Sequence, residues 1–177
     1  MNEVSREEEE TEICAVVGRM ILMASLLDNQ MAEILIDVLT LDRTPNLVPV
    51  VATLDPARKV EILKGNLRHM PDGIWRKELK SYVEGVEAAN RARNICGHSM
   101  LIERDGEILL ASNAAAKLFK GLNREKMTIE RVAIDTIRLD IRKAQETFQH
   151  GVTVRENFER IAEEFRSRRR LKRANKE

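Results

Sequence analysis

The feature that most constrains this chain is an unbroken apolar seam. Ile13, Val17, Met20, Ala24, Leu27, Met31, Ile34 and Val38 recur at alternating steps of four and three. Residues so spaced line one side of an α-helix. The seam predicts one long helix over about residues 11–40, with Val16, Ile21, Leu35 and Leu39 widening its apolar face. A face that wide suits a helix covered by several neighbours, or by a neighbour and a second subunit.

The rest of the chain supplies the covering elements. "LDRTPNLVPVVAT" ends the first helix with two prolines. Asp55-Pro56 opens a second, with a carboxylate at the cap and proline at the first helical position. Val60, Leu63, Leu67 and Met70 give it an apolar face before "MPDG" breaks it. A third helix is predicted over about residues 74–96, through Trp75, Leu79, Tyr82, Val86 and Ala89. "SMLIERDGEILLAS" then reads as a two-stranded hairpin turning at Asp105-Gly106. A fourth long helix follows, capped by Thr128, with Ile129, Val132, Ala133, Thr136, Ile137, Leu139 and Ile141 as its apolar surface. Beyond Gly151 the pattern predicts one more charged helix, docked through Phe158, Ile161 and Phe165.

The expected fold is therefore all-α: a bundle of four to five helices with a small β-hairpin inserted after the third helix. Aromatics make up only 3% of the chain, with 8 glycines and 4 prolines, which also favours helices. No repeat or low-complexity linker divides the sequence, so a single domain over 11–165 is expected. An acidic head (1–10) and a basic tail (166–177) flank it as frayed ends.

Two cysteines, Cys14 and Cys96, are too few for a disulfide framework, and no CxxC spacing suggests zinc. A reduced, cytoplasmic setting is expected. No positive n-region precedes an apolar core, so no secretory signal is predicted. Arg19 and Asp28 bracket the greasy "MILMASLL" too closely for a membrane span. There is no HExxH, no Walker loop and no cluster of acidic metal ligands. No cofactor is expected.

The chemistry concentrates in "EAANRARNICGHSM", residues 87–100. Continuing the third helix's stripe past Ala89 at the same spacing reaches Arg93 and then Cys96, which places an arginine on the inward face. A buried guanidinium cannot stand unpaired, because its desolvation costs several kcal/mol. It needs a carboxylate, carbonyl oxygens, or a cleft that admits an anion. Gly97 is placed to end the helix in the left-handed conformation, and His98 to emerge where it stops. Guanidinium and imidazole together suit phosphodiester chemistry: one holds phosphate and stabilises developing charge, the other moves protons. The same residues also suit a structural role. Arg93 would then pair with Asp28 or Glu33 of the first helix, and His98 would cap helix carbonyls. His69 and His150 sit near helix ends, where surface or capping roles fit them. Trp75 reads as a core or interface anchor, and the methionines as core filler.

"RNICGH" resembles the Arg-x4-His motif of the HEPN superfamily, all-α bundles found in bacterial toxins, phage-defence systems and CRISPR-associated nucleases. The order of elements over about residues 11–150 is also similar. The resemblance implies metal-independent endoribonuclease activity, with the RNA's own 2′-hydroxyl attacking the adjacent phosphate. On that reading Arg93 binds and polarises the phosphate, His98 serves as acid or base, and Asn94 orients them. It further implies a homodimer whose two motifs face one cleft, and RNA or a protein partner such as an antitoxin or defence component. Some members carry a tyrosine two residues after the histidine that a partner enzyme modifies. This chain has Met100 there, so that control is not expected. Two other readings stand beside the ribonuclease: a non-catalytic helical dimerisation or interaction module, and a nucleic-acid binder using the basic tail. The tail lacks the interleaved aromatics of specific single-strand recognition.

Overall fold

Helix α1 spans Glu3–Val38, without interruption along the predicted seam. Two single 3₁₀ turns, Leu41–Arg43 and Pro45–Leu47, lead into a short helix α2, Val48–Thr53. Helices α3, Pro56–His69, and α4, Ile74–His98, follow. The chain then forms strands β1, Ser99–Arg104, β2, Glu107–Ser112, and β3, Arg131–Ala133, and ends in helix α5, Ile134–Ala174. This computed structural model describes residues 3–70, 72–104, 107–112 and 131–174. The Asp105-Gly106 turn, the Thr128 cap and the Ile161 and Phe165 side chains lie outside what is described. No helix of the described residues is long and apolar enough to cross a membrane.

The architecture is the predicted all-α bundle with a small antiparallel sheet inserted, and it departs from prediction in three places. The proline-rich break contains α2, because Pro49 falls in the helix's first turn, where a missing N–H costs nothing. The sheet therefore follows the fourth helix of the chain. That sheet has three strands in the order β1-β2-β3, not two. Val132 and Ala133, read from sequence as helical, pair with Leu110 and Leu109 instead. Lastly, the two helices predicted around Gly151 are one, since α5 runs straight through that glycine.

Where the sequence placed a cap, the local chemistry is present. The Asp55 carboxylate accepts the Arg58 backbone N–H at 3.0 Å, with Pro56 beginning α3. At the end of α1 the chain turns through Thr40 in the left-handed region, φ 54°, an uncommon conformation for a β-branched residue.

The chain gathers into two compact units. The first comprises residues 1–25 and 88–144, the second residues 26–87 and 145–177. The first unit buries Ile13, Met20 and Ala24 of α1, Ala92 and Cys96 of α4, Leu110 of β2, and Ile137 and Ile141 of α5. Arg138 ties it further through Glu12 and Asp135.

The second unit buries Leu27, Met31, Ile34 and Leu35 of α1, Leu63 of α3, Leu79, Tyr82 and Val86 of α4, and Val154 of α5. Lys59 is 2% exposed, and its ammonium donates to both carboxylate oxygens of Asp28 at 2.9 Å. Trp75 meets Phe158 edge-on, with ring centroids 5.3 Å apart. α1, α4 and α5 pack tightly at Gly151. A β-carbon there would collide with the Gln30 side-chain oxygen and the Tyr82 ring. The Gln30 amide donates to the Phe148 carbonyl at 2.9 Å, which fixes its approach. Burial, reinforced by Asp28 and Glu33, holds the Tyr82 phenol well above its usual range.

Two glycine substitutions should therefore act in opposite directions. Gly151→Ala is expected to destabilise by about 2 kcal/mol through overpacking, despite alanine's better helix propensity. Gly65→Ala in α3, where a β-carbon meets nothing within 4 Å among the described residues, should stabilise by about 0.5–1 kcal/mol. Urea unfolding of both variants beside the parent checks the pair, and equal shifts would refute the close contact at Gly151.

Candidate functional site

The last three turns of α4 carry Asn90, Arg91, Arg93, Asn94, Gly97 and His98. Successive helical residues are offset by about 100°, so buried positions trace which side of the helix is covered. In the second unit the covered side holds Leu79, Tyr82, Val83 and Val86. In the first unit it holds Ala89, Ala92 and Cys96. The covered side thus swings by roughly a quarter turn along the helix axis.

That swing corrects the placement of Arg93. Arg93 does lie in line with the upstream stripe, as the spacing predicts, but it is exposed, because the buried series steps from Ala89 to Ala92. The side of α4 that is core earlier in the helix is open at its C-terminal end. Arg93 and Gly97 lie on this side, with Asn94 and then His98 farther round the helix; all four are exposed, while Asn90 is half-buried. No carboxylate occurs between residues 90 and 98.

The structural pairing considered for Arg93 is not what these groups do. Asp28 is engaged by Lys59, and Glu33 by Arg155 at 2.6 Å. The Arg93 guanidinium donates to the Asn94 side-chain oxygen at 3.1 Å. Arg93 and His98 stand five positions apart, about 140° around the helix, with Asn94 and Gly97 between them. Among the described residues, a β-carbon on Gly97 would meet nothing within 4 Å. The glycine therefore leaves an open floor flanked by the guanidinium and the imidazole.

Gly97 does not end the helix. α4 continues to His98, and β1 starts at the next residue. Strand pairing of Ser99 with Ser112 stops the helix, so no left-handed glycine is required. His98 is thus a helical residue, four positions after Asn94 and on the same side.

The sequence reading overlooked two neighbours. Arg91 is exposed and lies seven residues before His98, about two turns away on the same side. Its signal was the unbroken "RAR" run. The Ser99 hydroxyl, next to His98, is buried without a hydrogen-bond partner among the described residues, which nothing in the sequence announced. Behind the site, Cys96 is buried, and that burial, with Asp140 nearby, pushes its thiol up to about 11. Among the described residues no group of three or more His, Cys, Asp or Glu side chains is placed to hold a metal ion. Met100, two residues past His98, is 54% exposed on strand β1.

Compared with known proteins, the chain matches no family model, no curated protein and no solved structure.

The two cysteines report on this geometry. At pH 8, Cys14, which is exposed, should react with a thiol reagent at once, and Cys96 only on unfolding. The raised Cys96 value also means that the unfolded thiol ionises first. Its contribution to stability should fall as pH rises from about 9 to about 11. Rapid labelling of both thiols in the folded protein would contradict the burial of α4's inner side.

Proposed function

We propose that this protein is a metal-independent endoribonuclease of the HEPN type, acting through Arg93 and His98 with Asn94 as orienter. The observation that carries the proposal is the exposed C-terminal end of α4, where a helix face that is core upstream presents Arg93 and Gly97, with Asn94 and His98 beside it and no carboxylate between residues 90 and 98. Phosphate is the group such a face suits. The Arg93 guanidinium can hold its oxygens by two hydrogen bonds, and the bare Gly97 lets a backbone phosphate approach the helix closely.

The reaction needs nothing beyond these groups. The 2′-hydroxyl of RNA attacks the adjacent phosphorus, and the bond to the 5′-oxygen of the next nucleotide breaks. This leaves a 2′,3′-cyclic phosphate and a 5′-hydroxyl. His98 takes the proton from the attacking hydroxyl or gives one to the departing oxygen. Arg93 balances the charge gathering on the phosphoryl oxygens. The second proton transfer falls to His98 of a second copy, in keeping with the paired motifs that the HEPN resemblance implies.

A specific observation also favours the second reading, an interaction module. Leu22 of α1, in the first unit, is a large apolar side chain left 67% exposed. This surface suits a homodimer or a protein partner, with or without catalysis. A reduced, cytoplasmic setting and a role in a toxin–antitoxin or defence pair belong to the same proposal.

The deciding experiment is incubation of a mixed RNA pool with purified protein in EDTA. Cyclic-phosphate ends are expected. His98→Ala and Arg93→Ala should each lower the rate at least ~100-fold without changing the circular dichroism spectrum. Gly97→Leu should abolish cleavage while retaining the fold, because its side chain would fill the open floor. No cleavage by the parent protein at high concentration would defeat the ribonuclease proposal. Sedimentation of the parent beside Leu22→Glu then tests the interaction module. A contribution from the basic tail would appear as salt-dependent RNA binding lost on deleting residues 166–177.

A further inference from the structure

The second unit contains a pocket of about 400 Å³ between α1 and α5. Leu26, Phe148 and Val152 supply its apolar lining, and Asn29, Gln30, Glu33 and Glu156 its polar groups. Leu26 and Val152 remain 47% and 41% exposed. Burying that surface is favourable for any ligand with an apolar body.

The polar groups restrict what that ligand can be. Arg155, the pocket's cation, already donates to Glu33 at 2.6 Å and to Asp37 at 3.0 Å. Its charge is spent on carboxylates, which leaves little attraction for an anion. Two carboxylates, in contrast, offer oxygens without donors. Glu156 has no ion pair or hydrogen bond among the described residues, and one oxygen of Glu33 is likewise without a donor. The buried Gln30 side-chain oxygen faces Gly151 and does not open on the pocket, while its amide nitrogen is held by the Phe148 carbonyl.

We infer that this pocket binds a small organic cation, an ammonium or amidinium carried on a compact apolar body of about one ring. Glu156 and the free oxygen of Glu33 receive the charged end, and Leu26, Phe148 and Val152 take the body. Volumes of this order accept ligands of that size. The same carboxylates repel phosphate, so the pocket is not a subsite for RNA. The inference stands independently of the ribonuclease proposal.

The test is titration of the full chain with benzylamine, followed by the side-chain amide resonances of Asn29 and Gln30. Benzyl alcohol and benzoate serve as the neutral and anionic comparisons. Saturable shifts with a dissociation constant in the millimolar range are expected for benzylamine, with benzyl alcohol about tenfold weaker and benzoate inert. Glu156→Gln removes only a charge on a side chain without a partner, so the fold should be retained. It should weaken benzylamine about fivefold and leave benzyl alcohol unchanged. The inference is overturned if no saturable shift occurs, if the alcohol binds as well as the amine, or if Glu156→Gln binds benzylamine like the parent.

Discussion

The close meeting of three helices at Gly151 is the constraint around which the second unit is built. Gln30 of α1 and Tyr82 of α4 both reach the space that a side chain at residue 151 of α5 would occupy. The same logic holds at Gly85, where a β-carbon would collide with Thr147. Glycines inside helices cost stability by propensity, and here the loss is offset by packing that no larger residue permits. The buried Lys59 adds a further restriction. Its ammonium is tolerable only because both oxygens of Asp28 receive it, which fixes α3 against α1 at one register. Buried pairs of this kind are weak evidence for stability, since breaking one is far costlier than replacing it whole.

The candidate site has a related origin. α4 is one helix, but its covered side is not one stripe, because the residues that bury it differ between the two units. Where the covered side swings away, a continuation of the core face is left open to solvent. An apolar series carried to residue 98 would have left a greasy exposed patch there. The chain instead places Arg93 and Gly97 on it, with Asn94 and His98 at its margin. The functional proposal rests on this coincidence of an uncovered face with phosphate-binding and proton-moving groups. It does not rest on the short Arg-x4-His spacing alone.

Charge separates the two ligand-binding proposals. The α4 face from residue 90 to residue 98 is free of carboxylates, whereas the pocket between α1 and α5 offers acceptors whose only cation is already engaged. One suits an anion and the other a cation. Neither conclusion follows from net charge, which is only +1 for the whole chain. Both follow from which ionisable side chains are already paired.

Periodicity alone determined the helices with the longest seams. Ile13 to Val38 and Leu79 to Ala89 place apolar residues where a helix must bury them, and Asp55-Pro56 marks a start through purely local chemistry. The identities of Arg93, Asn94 and His98 were legible in the same way, as a polar cluster at the end of an apolar stripe. Tertiary structure decided what local rules cannot reach. Arg131–Ala133 became a strand because β2 offered it a hydrogen-bonding edge, and α5 ran through Gly151 because its neighbours pack against that residue. Arg93 was left exposed, although the repeat pointed it inward, because burial depends on which neighbours are present at that level of the bundle. A repeat in sequence specifies the side of a helix, and only the packing of other elements decides whether that side is covered.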